Sequence, residues 1–324
     1  MKVLVTGSSG FLGQRFIEAL LARRDIPDGR GGTGPVTEIL ALDQGPGALQ
    51  DTRVRDIQAD IADAAQLRDL MTPDLVGIAH LAGVVSGTAE ADFDLGMRVN
   101  LDGTRTLLEA ARGLGRPIPF LFSSSLAVYG GDLPEVVDDD TRPDPQSSYG
   151  IQKLIGELLV ADYTRKGYID GRSVRIPTVS VRPGLPNGAA SSFASGIIRE
   201  PMAGERAICP VDPGTPLWLA ATDRAVEALV HAFLLPGGKL GKARSINLPG
   251  LTVTAGEMVD TLRELAGDAV ADRIDWQPDT RIKAIVDTWP ARIDTSRAQA
   301  LGFAPPGTGA ELVAAYVRTQ APAA

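Results

Sequence analysis

Tyr149 and Lys153 stand one helical turn apart, in a stretch whose pattern reads as helix from Ser147-Ser148 onward. A phenol with a pKa of about 10 is a weak base at neutral pH, and a cation a few ångströms away moves it toward phenolate, into the range where general base catalysis works. At i and i+4 the two side chains share one helix face, so the ammonium can serve the phenol and any ribose that bridges to it. Ser125 closes the triplet Ser123-Ser124-Ser125, directly after the apolar run Pro119-Phe120-Leu121-Phe122. From a strand end it can hold a substrate oxygen against Tyr149 while a hydride leaves the same carbon. Many helices carry YxxxK for solubility alone, so the pair gains meaning from the upstream residues.

Upstream, Thr6-Gly7-Ser8-Ser9-Gly10-Phe11-Leu12-Gly13 follows the apolar run Met1-Lys2-Val3-Leu4-Val5 and opens a helical pattern over residues 11–21. The order strand, glycine turn, helix is the one that a nucleotide needs. Gly7 permits the turn, Gly10 lets backbone approach a pyrophosphate, and Gly13 lets the helix pack close, with its positive N-terminal end toward the phosphates. An acid that holds a ribose normally follows such a turn by about 20 residues. In Glu38-Ile39-Leu40-Ala41-Leu42-Asp43 it comes later by roughly the length of the polar, glycine- and proline-rich loop 25–35. Asp43 at a strand end accepts from ribose hydroxyls and repels a 2′-phosphate, and Gln44-Gly45 offers no arginine to neutralise one. The cofactor expected is NAD. The plainer role for Asp43 is a turn cap.

The elements that must position these groups alternate. Apolar runs at 38–43, 54–59, 75–80, 119–122 and 174–181, the last broken by Pro177, are separated by helical patterns. This predicts an α/β fold: a Rossmann-type doubly wound parallel sheet over 1–182, with a smaller α/β substrate-capping lobe over 183–324. Asp60-Ile61 follows the third strand, where the acid either borders an adenine or, like Asp63, caps the next helix. Leu81-Ala82-Gly83 are small residues against which a second ribose can pack, and His80 reads as a core or strand-end histidine. Residues 84–89 read as a loop with Ser86 at the mouth of the sheet, and a long helix over 91–114 carries Asn100, a buried amide that needs partners. The run Asp138-Asp139-Asp140 reads as a solvated face. Ser191-Ser192 precede a helical stretch at 193–199, so that Ser192 and Arg199 are candidates to hold a substrate carboxylate, or else a cap and a surface ion pair.

A chain of 324 residues that is 44% hydrophobic can build its core without staples. One cysteine, Cys209, excludes an internal disulfide and reads as a buried, inert thiol. A net charge of −8 speaks against a nucleic-acid partner, and two distant histidines, His80 and His231, give no basis for a metal site. No apolar stretch approaches ~20 residues and strand residues begin at once, so neither a membrane span nor a signal peptide is expected, and the cytoplasm is the expected place.

Together these motifs resemble the extended short-chain dehydrogenase/reductase family, that of the NAD-dependent epimerases and dehydratases. The resemblance covers the whole chain, through Thr6 to Gly13, Asp43, Asp60-Ile61, Leu81-Ala82-Gly83, Asn100, the stretch Ser123-Ser124-Ser125-Leu126-Ala127-Val128-Tyr129-Gly130 and Tyr149-Gly150-Ile151-Gln152-Lys153. It implies Ser125, Tyr149 and Lys153 as the catalytic group. It implies cofactor contacts by Gly7, Gly10, Phe11, Leu12, Gly13, Asp43, Asp60, Ile61, Leu81, Ala82, Gly83, Asn100, Ser123, Tyr149, Lys153 and Pro177. Ser86, Ser125, Tyr149, Thr178, Ser192 and Arg199 are then the substrate residues. The dehydratase branch has an acid pair after the catalytic hydroxyl, where this chain has Leu126-Ala127. The stretches 84–93 and 190–201 are similar to a branch that oxidises the hydroxyl next to the carboxylate of a four-carbon sugar acid. The expected activity is therefore net NAD-dependent oxidation of a small sugar acid by a homodimer. A nucleotide-sugar epimerase and a non-catalytic NAD-sensing regulator are the alternatives.

Overall fold

The computed structural model describes residues 1–29, 31–184 and 188–320. Strands β1 (Lys2–Thr6), β2 (Glu38–Asp43), β3 (Val54–Gln58), β4 (Leu75–His80), β5 (Pro119–Ser125), β6 (Asp170–Ile176) and β7 (Ser245–Asn247) form one seven-stranded sheet. Their order is β3-β2-β1-β4-β5-β6-β7, and β1 pairs in parallel with β2 on one side and β4 on the other. Strand order thus reverses at β1, and the crevice outside the C-terminal ends of β1 and β4 is where such sheets bind ligands. Thr6 is in register with Leu42 and His80, so the three strands end at one level. Every residue of β4 is buried, as a parallel strand covered on both faces requires.

The helices of this layer are α1 (Phe11–Leu21), α2 (Ala64–Leu70), α3 (Ser86–Ala91), α4 (Phe93–Gly96), α5 (Thr104–Arg112) and α6 (Ser148–Arg165). Leu67, Leu107, Leu108, Ala111 and Val160 from the helices meet Leu4, Ile78, Phe120 and Phe122 from the sheet in one buried cluster.

Three features differ from the expectations. Residues 84–89 are not all loop, because the chain turns into α3 at Ser86. The helix expected over 91–114 begins at Phe93, where the Asp92 carboxylate accepts from Leu95 N at 2.9 Å, and its middle, Met97–Gly103, is a π-helical stretch between α4 and α5. The sixth strand begins at Asp170 and ends before Pro177, which has no N–H to continue a ladder. Beyond it the two-residue strand Thr178–Val179 pairs with Pro216–Ala220 in another sheet.

The chain forms two compact units, and a single boundary at 182 does not follow them. The first unit holds Met1–Ser125, Ser148–Arg175 and Val226–Ile246, so that β7 completes the large sheet late in the sequence. The second holds Leu126–Ser147, Ile176–Ala225 and the chain from Asn247 onward. Its three-stranded sheet takes Leu251–Thr254, Pro216–Ala220 and Thr178–Val179 in that order, and a parallel pair joins Ala207–Cys209 to Ile274–Trp276. Helices α7 (Phe193–Met202), Ala255–Ala266 and Gly309–Gln320 bury Ile197, Met258 and Leu312 in its core.

Candidate active site

Gly7 turns the chain out of β1 with φ +72°, and a Cβ there would stand 2.6 Å from Ala82 N, where the exits of β1 and β4 touch. A Cβ on Gly13 would stand 2.1 Å from Gly7 O, so α1 packs directly on the turn. α1 starts at Gly10 with no side-chain cap and no acid in its first turn, which leaves its N–H groups and dipole for an anion. Asp43 ends β2 beside this turn and accepts from Ser9 N at 3.0 Å and from Gly45 N at 3.1 Å. Two backbone bonds aim the carboxylate, and its remaining lone pairs can still accept from a ribose. Of the two acids after β3, Asp63 caps α2, accepting from Ala65 N and Gln66 N. Asp60 instead accepts from Ala62 N at 2.9 Å and pairs with Arg98. The cradle that a side chain would fill, the uncapped helix end and the aimed acid together fit NAD.

Helix α6 carries Tyr149, Lys153 and Glu157 at four-residue spacing. It comes close to the sheet at Gly156, where a Cβ would stand 2.5 Å from the Phe122 ring. Lys153 is 3% exposed; its Nζ donates to Ser123 O at 2.7 Å and lies 4.9 Å from the Phe122 ring centroid and 5.6 Å from that of Tyr149. Burial pushes this ammonium down to about 8. Behind it the Glu157 carboxylate accepts from Ser124 Oγ at 2.5 Å, Ser245 Oγ at 2.8 Å and Arg175 Nη2 at 2.7 Å, which ties α6 to β5, β6 and β7. The serine triplet is thus fixed from two sides: Ser123 through its carbonyl and Ser124 through its hydroxyl.

The π-helical stretch delivers Asn100, 2% exposed, to the loop after β4. Asn100 Oδ1 accepts from Val84 N at 2.7 Å, and Nδ2 donates to Val84 O at 3.1 Å and to Gln152 Oε1 at 2.8 Å. A Cβ on Gly83 would stand 3.1 Å from Asn100 Oδ1 and 3.3 Å from Lys153 Nζ, so a glycine leaves room for both. On its other side Asn100 is held by its backbone: the Thr104 hydroxyl donates to Asn100 O at 2.7 Å, and so accepts from His80 Nε2 at 2.9 Å. His80 Nδ1 then accepts from the Thr6 hydroxyl at 2.7 Å, and Thr6 Oγ1 accepts from Ala82 N at 3.3 Å. Burial holds this imidazole neutral, pushed down to about 3. His80 therefore links the glycine turn to the helix that bears Asn100.

Ser86 opens α3 in the same unit and is buried. Pro177, Thr178, Ser192 and Arg199 belong to the second unit. The Ser192 hydroxyl does not cap α7. Arg199 is largely buried; its Nη1 donates to Arg182 O at 2.9 Å and its Nη2 to Glu200 Oε1 at 2.6 Å, so a carboxylate would have to take the place of Glu200 on the fork. Asp138 accepts from Thr141, and Asp139 accepts from Asn247 Nδ2 at 3.3 Å, which makes part of the acid run structural. Among the described residues no group of acids, histidines or cysteines is arranged to hold a metal ion, and no helix is long and apolar enough to cross a membrane. Cys209 is buried, and desolvation pushes its thiol up to about 11. Gln152, Glu157 and Arg175 are not among the residues expected at the site. The signal for Glu157 is its place four residues beyond Lys153, on the period that sets Tyr149 and Lys153; Gln152 lies off that period, one residue before Lys153.

The sheet order, the glycine turn at its switch point and the Tyr-Lys helix beside a serine strand end define a class. The chain belongs to the NAD dependent epimerase/dehydratase family, whose model matches residues 3–236. It is similar to the D-erythronate dehydrogenase of Cupriavidus necator, 54% identical over 98% of both chains. It is also similar to the D-erythronate dehydrogenase of Haemophilus influenzae, 43% identical over 94% of both. Among solved structures, the nucleoside-diphosphate-sugar epimerase of Agrobacterium tumefaciens is 36% identical with a TM-score of 0.88, covering 98% of this chain and 94% of that one. The L-threonine 3-dehydrogenase of Trypanosoma brucei is 25% identical with a TM-score of 0.85, covering 98% and 96%.

Proposed function

We propose that this chain is an NAD-dependent dehydrogenase that oxidises the hydroxyl next to the carboxylate of a small sugar acid, D-erythronate, to 2-oxo-tetronate. The observation that carries this is the 54% and 43% identity, over nearly the whole length, to two proteins named D-erythronate dehydrogenase.

Bound NAD supplies the hydride acceptor. Tyr149, as phenolate, takes the proton of the substrate hydroxyl. Lys153, charged below a pKa of about 8, favours that phenolate and reaches the ribose beside it. Ser125 donates to the substrate oxygen and fixes it against Tyr149. Gly7, Gly10, Phe11, Leu12 and Gly13 receive the pyrophosphate, Asp43 the adenosine ribose, and Asp60 and Ile61 border the adenine. Leu81, Ala82, Gly83, Asn100, Ser123 and Pro177 serve the nicotinamide half. Ser86, Thr178, Ser192 and Arg199 are assigned to the substrate, Arg199 by exchanging Glu200 for the carboxylate.

The protein acts as a homodimer. Phe93, Ile151 and Leu158, on α4 and α6, expose 57%, 47% and 64% of their surface, and pairing these helices with those of a second copy buries them. A single buried cysteine suits a reducing compartment, and we assign the protein to the cytoplasm.

The 36% identity to a protein named nucleoside-diphosphate-sugar epimerase favours a second reading, in which each turnover ends with NAD unchanged. A panel of sugar acids and nucleotide sugars with NAD separates the two. NADH accumulation with sugar acids alone is the expected result; conversion of a nucleotide sugar to its epimer with no NADH released would replace the first reading by the second.

A further inference from the structure

We propose that Gln152 is a positioning residue for this oxidation: by accepting from Asn100 Nδ2 it anchors that amide to α6, and through it holds the Gly83-Val84 backbone near Lys153. The proposal rests on the dehydrogenase reading for its kinetic test, and on geometry for its substance.

The hydrogen bonds leave one solution. Asn100 Oδ1 is committed to Val84 N at 2.7 Å, so the amide nitrogen faces Gln152. Gln152 must meet it with an acceptor, and Oε1 is the atom at 2.8 Å. Its own Nε2 is then turned toward Gly96, where a Cβ would stand 2.7 Å away, and among the described residues it is a buried nitrogen with no hydrogen-bond partner. Gln152 is 1% exposed, so water does not offset the lost solvation of that nitrogen at the surface. A methionine would fill the same space with no stranded donor. A side chain that desolvates one polar atom with no return is placed there for its other polar atom, and among the described residues that atom accepts from Asn100 alone.

Position gives the consequence. Gln152 lies between Tyr149 and Lys153 on α6, while Asn100 lies in the π-helical stretch that widens the helix opposite. The two meet close to Gly83, where an added Cβ would stand 3.1 Å from Asn100 Oδ1 and 3.3 Å from Lys153 Nζ. Val84 N and Val84 O already set which way the Asn100 amide points; without the Gln152 acceptor the amide keeps that orientation but loses its tie to α6, and the Val84 bonds that shape the loop are held less firmly. Gln152 itself touches no reacting group.

The test compares Gln152→Met, which keeps the shape and loses the acceptor, with Gln152→Glu, which keeps an accepting oxygen and replaces only the unpartnered nitrogen. Both are assayed with D-erythronate and NAD, and NAD affinity is measured separately by equilibrium titration. Gln152→Met is expected to lower kcat by about tenfold or more with little change in the KM for D-erythronate, and to raise the Kd for NAD at least about threefold. Gln152→Glu is expected to keep about a third or more of the wild-type kcat and an unchanged Kd. A space-filling role predicts the reverse order, methionine tolerated and the buried acid damaging, and that result overturns the proposal, as does a Gln152→Met enzyme within twofold of wild type in both readouts. If Gln152→Met does not fold, a collapse of kcat and NAD affinity in Gln152→Glu overturns it by itself. Failure of the dehydrogenase reading shows instead in the wild-type protein, as no NADH from any sugar acid, and the NAD affinities of the variants then decide the role of Gln152.

Discussion

Lys153 meets three groups at once: the carbonyl of Ser123, the ring of Phe122 and the ring of Tyr149. Replacing it by methionine is expected to weaken NAD binding and turnover together. Tyr149→Phe is expected to abolish turnover, to below about a tenth of wild type, with NAD affinity nearly intact, because in the proposed mechanism it removes the proton acceptor and leaves the other cofactor contacts in place. Equilibrium NAD titration beside steady-state rates checks both. Asp43 has a separate consequence. Its carboxylate is held by Ser9 N and Gly45 N and, in the proposed role, accepts from the adenosine ribose, so NAD is expected to exceed NADP in kcat/KM by at least about 100-fold. Asp43→Ala is expected to narrow that ratio, and equal use of both cofactors by the unaltered protein removes Asp43 from the ribose site.

At the scale of elements, the site depends on how α6 is held against the sheet. Glu157 and Arg175 are 3% and 8% exposed, and the carboxylate also takes hydroxyl bonds from β5 and β7. Glu157→Gln strands a buried guanidinium and is expected to cost about 3–5 kcal/mol in urea unfolding, while Glu157→Gln with Arg175→Met together recovers part of the loss. An additive double variant would show that the two do not act as a pair. The elements differ in how much of them the residues disclose. The glycine turn, Asp43 and the Tyr-Lys helix are local patterns, each set by the chemistry of a few neighbours, and they are legible as such. The π-helical stretch at 97–103 is not, because it is written in no residue type, and the partners of its Asn100 are Val84 and Gln152, 16 and 52 positions away. The strand over Ser245–Asn247 is likewise visible as a strand, yet its return to the large sheet is a fact of topology, decided by pairing and not by local pattern.

For the whole molecule, burial of His80 ties stability to pH. The imidazole is pushed from 6.5 to about 3, so on acidification the unfolded chain takes up a proton that the folded chain refuses. Stability present above pH 6.5 is therefore lost progressively as pH falls toward 3, and thermal unfolding followed between pH 7 and 5 is expected to show a steeper fall for the wild-type protein than for His80→Gln. In the proposed dimer the exposed apolar residues of α4 and α6 form the contact: light scattering at micromolar concentration is expected to give a dimer, and Leu158→Arg a monomer. The claim on which everything else rests is that Ser125, Tyr149 and Lys153 carry out net oxidation of a sugar acid. Its most direct measurement incubates D-erythronate with NAD, identifies the product by NMR and counts NADH against it, with Tyr149→Phe in parallel. One NADH per 2-oxo acid in the wild-type protein and less than about a tenth of its rate in the variant is the predicted result; a higher rate of NADH formation in Tyr149→Phe, or a product oxidised at another carbon, would contradict it.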